Sequence, residues 1–77
     1  MSGGHFSVRT AHADGAVTVR GLVREHAAAL YDKAVAEFTP GIDRSVELAR
    51  ELPNGTREIL RWRTSAGEWR EPASTEL

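Results

Sequence analysis

Six arginines are the residues whose type and spacing best predict a chemical role. An arginine guanidinium is planar and permanently charged, and it binds a carboxylate or a phosphate through two parallel hydrogen bonds. In the two hairpins predicted below, strand alternation places all six on one outward surface: Arg9, Arg20, Arg57, Arg61, Arg63 and Arg70. The sequence therefore predicts the binding of an anion or of an acidic partner, and no covalent chemistry.

A second interpretation of the arginines stays open. Lys33 is the only lysine of the chain, and a strong preference for arginine over lysine is typical of a bacterial or phage genome of high GC content. The arginines would then be solvated charges beside Glu58, Glu68 or Glu71, and exposed ion pairs of this kind contribute little stability.

Trp62 and Trp69 are the residues that could hold a nucleic-acid base. Aromatic rings beside arginines on an open sheet are how many proteins bind single strands. Here the alternation places both tryptophans on the side of Leu60, which predicts a place in the core or in a buried dimer contact. The chain also has neither an RNP-like aromatic pattern nor helix-turn-helix spacing, so nucleic-acid binding is the alternative hypothesis.

The histidines and hydroxyl residues do not form a recognisable catalytic or metal-binding pattern. His5 and His12 have opposite strand parity, His26 falls in a predicted helix, and the chain has no cysteine. Nothing in the sequence links His12 to Asp14 or Ser45 as a base and a nucleophile. We therefore expect no bound metal, no cofactor and no enzymatic activity.

Two hairpins are predicted at the ends of the chain. An Asp14-Gly15 turn would place His12 opposite Val17 and Arg9 opposite Arg20. Its inner face would carry Phe6, Val8, Thr10, Val17 and Val19.

In the second hairpin, an Ala66-Gly67 turn would place Thr64 opposite Trp69 and Arg63 opposite Arg70. Its inner face would carry Leu60, Trp62, Thr64 and Trp69. Two arginines directly opposite each other are unfavourable unless an anion lies between them.

The middle of the chain changes to helical periodicity. Apolar residues recur at three and four from Val23 to Phe38, which predicts a long amphipathic helix of about four turns that ends at Thr39-Pro40-Gly41. For Arg44 to Leu52, helix propensity, an Asp43 N-cap and a stop at Pro53 favour a second helix. The alternation of apolar and polar residues in the same segment leaves a strand open.

These elements predict one α+β domain, a two-layer sandwich in the order ββααββ, with ββαβββ as the alternative. We expect the domain to span residues 5–72 and residues 1–4 and 73–77 to be disordered. The net charge of −1, the lack of cysteine and the lack of a leader or membrane-spanning pattern favour a cytoplasmic protein with no membrane contact. The expected function is a non-catalytic protein-interaction or regulatory module, alone or as a homodimer, that binds through its arginine-lined sheet face or a sheet edge.

Overall fold

Residues 4–70 form one antiparallel sheet and one helix. The computed structural model describes residues 4–70, which form β1 (Phe6–His12), β2 (Gly15–Leu22), α1 (Arg24–Ala36), β3 (Asp43–Glu51), β4 (Arg57–Thr64) and β5 (Gly67–Arg70). The α+β class is confirmed, and the order is the alternative ββαβββ. Of the ends predicted to be disordered, residues 1–3 and 73–77 lie outside the described residues. No helix within residues 4–70 has the length and apolar character needed to cross a membrane.

The five strands form a single sheet in the order β2-β1-β3-β4-β5, with every neighbouring pair antiparallel. The helix α1 lies on one side of this sheet, over β1 and β3. The core consists of buried residues from these three elements, which are Val8, Ala27, Tyr31, Val46 and Leu48. The other side of the sheet, which we call the outer face, is not covered by any element within residues 4–70.

The predicted second helix over Arg44 to Leu52 is wrong, because this segment is the central strand β3. It lies between β1 and β4, and its alternation buries Val46 and Leu48 beneath the helix. Ala49 lies on the outer face and is also fully buried. A strand that pairs on both sides gains hydrogen bonds and packing that outweigh a weak helical preference of its residues.

The helix α1 has 13 residues and is shorter than the predicted segment from Val23 to Phe38. It begins after Val23 without a side-chain cap and ends at Ala36, with Glu37 as its C-cap. Ala27 and Tyr31 are its fully buried residues. The Tyr31 hydroxyl donates a hydrogen bond of 2.9 Å to Glu68 Oε2, so the helix is also linked to the edge strand β5.

In both hairpins the turn lies one residue earlier than predicted, so each residue pairs with a partner two residues away from the predicted one. The turns are Ala13-Asp14 and Ser65-Ala66, closed by the pairs His12–Gly15 and Thr64–Gly67. Gly15 and Gly67 therefore occupy the fourth position of their turns, where a type I turn favours glycine. A shift of two leaves every residue on the same side of its strand, so the residues predicted for the inner face of the first hairpin do share one side, the helix side. Val17 and Val19 are nevertheless exposed there, because α1 does not reach over β2.

The face predicted for the second hairpin is wrong. Pairing with β3 sets it: Trp62 is opposite Glu47 on the outer face, and Arg63 is opposite Val46 on the helix side. Leu60 is an extra residue at a bulge, because Leu48 pairs with Arg61 and Ala49 with Ile59. The short helix leaves the helix side of β4 only partly covered, so arginines are accommodated there and the tryptophans lie outside.

Candidate interaction face

The stacked pair Trp62 and Trp69 is the most distinctive feature of the outer face. These residues are directly opposite each other on β4 and β5, with ring centroids 5.8 Å apart and ring planes inclined by 15°. Trp69 is 41% exposed and Trp62 is half-buried, and neither belongs to the core. The predicted core role of the two tryptophans is therefore wrong, while a dimer contact through them stays a prediction.

The tryptophan pair continues a row of side chains across the whole sheet. Successive strand pairings align Thr18, Arg9, Glu47, Trp62 and Trp69 from β2 to β5. Residues opposite one another in an antiparallel sheet have neighbouring side chains. The row therefore offers a hydroxyl, a cation, an anion and two aromatic rings to anything that lies across the strands.

The charges described on the outer face are close to balanced. Arg57 Nη1 lies 3.7 Å from Glu47 Oε1, and its Nη2 donates a 3.4 Å hydrogen bond to Ser7 Oγ. Arg20 Nη1 lies 3.9 Å from Glu51 Oε2. Two of the three arginines on this face are thus already near a carboxylate, which makes the face a weaker attractor for a polyanion than six arginines would be.

Small residues form the floor of the outer face. Ser7 and Ala49 are opposite each other and fully buried, although no second layer covers this side within residues 4–70. Larger side chains shield them from solvent. Beside them, Glu47, Ile59 and Trp62 line a shallow depression of about 200 Å³. The face is therefore contoured, with the indole of Trp62 as one wall.

The structure does not bring the six predicted arginines together on one surface. Alternation and pairing place Arg9, Arg20 and Arg57 on the outer face but Arg61 and Arg63 on the helix side. Arg70 pairs with Arg61 along the backbone. The predicted arginine pairs are also wrong, because Arg9 is opposite Thr18 and Arg63 is opposite Glu68.

Arg63 has a structural role on the helix side. Its guanidinium carbon lies 4.5 Å from the centroid of the Phe38 ring, which is a cation–π arrangement. Its Nη1 also donates a hydrogen bond to the Thr64 carbonyl. Phe38 follows the end of α1 and packs against the core. Arg63 thereby covers the margin of the core where the helix ends.

His12 and Asp43 form a hydrogen-bonded pair that the sequence did not suggest. His12 Nδ1 lies 2.8 Å from Asp43 Oδ1, and the Thr39 N–H donates to Asp43 Oδ2 at 2.9 Å. The hydrogen bonds from Thr39 and His12 hold the pKa of Asp43 below its usual value of 3.8. Because 31 residues separate the partners, no local spacing could have indicated them.

A cleft of about 320 Å³ lies next to this pair, between α1 and the first hairpin. Its lining includes Val17, Leu30, Lys33, His12 and Asp43. A carboxylate that accepts from a histidine orients the imidazole, as in many general-base pairs. Here the same carboxylate also holds the Thr39 backbone, so its immediate effect is to join the β1 end to the segment that precedes β3. Among residues 4–70, no group of three histidine, cysteine or acidic residues is arranged to hold a metal ion.

Comparison with known proteins assigns no relationship to the chain. No protein-family model matches it, and neither the curated proteins nor the solved structures include a significant match.

Proposed function

We propose that this protein is a non-catalytic interaction module that binds a partner protein through the outer face of its sheet. The observation that carries the proposal is the stacked pair Trp62 and Trp69 on the side of the sheet opposite the helix. Tryptophan and arginine are enriched in protein interfaces, and a few such residues supply most of the binding energy.

The composition of the outer face supports a protein partner over a polyanion. Ion pairs from Arg57 to Glu47 and from Arg20 to Glu51 leave mixed charge around the tryptophans. Mixed polar groups around an aromatic centre resemble the rim and core of a protein interface. This surface fits a partner that inserts an apolar side chain into the depression beside Trp62. The partner would carry both positive and negative side chains around that contact.

Binding to single-stranded nucleic acid is a second candidate, favoured by one observation. The two tryptophans lie on an open sheet face with Arg9 in the same cross-strand row. Bases stack on such rings, and arginine contacts to phosphates make the affinity fall steeply with salt. This candidate predicts binding of labelled DNA or RNA oligonucleotides at low salt, whereas the protein-binding proposal predicts none.

The test compares a Trp69→Ala variant with wild type and with an Ile42→Ala control. Ile42 is 62% exposed and lies in the turn before β3, so its substitution removes exposed apolar surface away from the outer face. Immobilised proteins are exposed to lysate of the source cells, and the captured proteins are identified by mass spectrometry.

We expect wild type and Ile42→Ala to capture the same partner. Trp69→Ala should capture at least tenfold less of it. The purified partner should then shift the fluorescence of this protein, because Trp62 and Trp69 are its only tryptophans. Equal capture by all three proteins would contradict the proposal.

A further inference from the structure

The edge strand β2 is the most exposed regular element of the described chain. Of its eight residues, Gly15 to Gly21 are all exposed and only Leu22 is partly buried. Val17 and Val19 are 59% and 40% exposed on the helix side, since α1 lies over β1 and β3 instead. A long edge strand of this kind presents unpaired backbone groups to any other strand.

The two edges of the sheet differ in how they are protected. The opposite edge, β5, has four residues, two of which are charged, Glu68 and Arg70. The strand β2 has eight residues and neither lysine nor proline, the usual means of blocking an edge. Its only irregularity lies near one end, where a bulge precedes Leu22 and Gly21 has a φ of +71°. Residues 15–20 therefore form a regular edge that can accept another strand.

We propose that β2 pairs with β2 of a second copy of this chain, antiparallel and centred on Thr18. The alternation of backbone hydrogen bonds along the first hairpin supports a two-fold axis at Thr18. The pair His12–Gly15 closes a two-residue turn, and hydrogen-bonded and non-hydrogen-bonded pairs alternate from it along the strand. The N–H and C=O groups of Ala16, Thr18 and Arg20 therefore point away from β1, toward the second copy.

A two-fold axis at Thr18 makes these outward groups meet in pairs. Thr18 lies opposite Thr18 of the second copy, and Ala16 lies opposite its Arg20, so each pair can exchange two backbone hydrogen bonds. The same register places Val17 of each chain opposite Val19 of the other on the helix side. The two exposed valines of each chain thus pack against those of the other chain in one cluster. Such self-complementary contacts are what a two-fold interface requires.

The charges of β2 also fit a second copy. In this register Arg20 lies diagonally across from Asp14 of the other chain, and the pair occurs twice because of the symmetry. Diagonal neighbours in an antiparallel sheet remain within reach of a long side chain. The core formed by residues 4–70 is small, and association is one way to gain stability.

Pairing in the sheet plane would produce a continuous ten-stranded sheet with both helices on one side and both outer faces on the other. Seven strand spacings would separate Trp62 of one chain from Trp62 of the other, a distance of about 34 Å. The interface lies at the opposite edge from the tryptophans. It therefore does not depend on the function proposed above, and the failure of either proposal leaves the other standing.

The absence of cysteine allows a direct test of the register by crosslinking. A Thr18→Cys variant would bring two thiols together across the axis, with Cα atoms about 5.5 Å apart, within the range of a disulfide. The matched control is Ala16→Cys on the same strand, whose two thiols would be displaced by about 14 Å along the strands. We expect Thr18→Cys to form a crosslinked dimer at least tenfold faster under mild oxidation.

Sedimentation equilibrium supplies the second readout. Wild type and Trp69→Ala should both show a monomer–dimer equilibrium, and Thr18→Pro should be monomeric. Proline removes an outward N–H and leaves the β1 bonds in place, and edge strands tolerate it. Circular dichroism would show that this variant is folded.

Any one of the following results would overturn the proposal: a wild type that stays monomeric at the highest soluble concentration, a folded Thr18→Pro variant that still dimerises, or equal crosslinking of the two cysteine variants. Capture of a strand from a different protein at β2, with no dimer of this chain, would also overturn it.

Discussion

Hydrogen bonds of individual side chains connect the helix and the loops to the sheet. The Tyr31 hydroxyl reaches Glu68 on β5, and the Asp43 carboxylate joins His12 to Thr39. Each contact links segments that are more than 30 residues apart or that belong to different elements. Such polar contacts contribute modestly to net stability, but they select one arrangement of the elements over others.

Tyr31→Phe removes the hydroxyl and leaves the buried ring in place. We expect the free energy of unfolding to fall by about 1.5 kcal/mol, the lower end of the net values for a hydrogen bond to a charged group, because Glu68 is exposed to solvent. Urea denaturation measures this loss. Glu68→Gln retains an acceptor oxygen, so it should lower the free energy of unfolding by less than Tyr31→Phe does. An equal decrease from both changes would mean that the loss of the hydrogen bond does not explain the effect of Tyr31→Phe.

Asp43→Asn tests the pair at the base of the cleft. The pKa of Asp43 is lowered in the folded protein, so its contribution to stability is present above the unfolded value near 3.8 and is lost as the pH falls through the lower folded value. The variant should therefore be less stable than wild type at pH 7, and the difference should shrink below about pH 4. Urea denaturation across this range measures it. Asp32→Asn on the exposed helix surface serves as the control, and the same pH profile from it would contradict the prediction.

Among the strands, the central ones are the most stable against local unfolding. The strands β1 and β3 pair on both sides and lie under α1, whereas β2 and β5 are edges. We expect the amide protons of residues 46–49 to exchange slowest with deuterium. Exchange should be fastest in β5 and in the turns, because opening them exposes little buried surface. Amide exchange followed by NMR measures this order, and rapid exchange of 46–49 would mean that β3 is not the central strand.

The same elements explain which predictions failed. The order of apolar and polar residues correctly predicted the inner face of β1 and β2. It could not choose between helix and strand for residues 43–51, because that choice depends on strands before and after it in sequence. It also misplaced Trp62, since a bulge at Leu60 and the pairing of Arg63 with Val46 set the face of β4.

At the scale of the whole molecule, association and stability are linked. If β2 pairs with a second copy, the unfolding temperature should rise with protein concentration, because mass action favours the folded dimer. Thermal unfolding followed by circular dichroism over a hundredfold range of concentration measures this. The unfolding temperature of Thr18→Pro should not change over the same range, and a concentration-independent wild type would contradict the prediction.

The order of residues alone predicts the α+β class, the positions of the strands in both hairpins and the apolar face of the first hairpin. These follow from alternation and from turn residues, which act within a few positions. Long-range packing places residues 43–51 at the centre of the sheet, Trp62 and Trp69 on its outer face, and the arginines on two different sides. Each of these depends on which distant segment lies alongside, and the burial gained from such pairing exceeds the local preferences that a sequence displays.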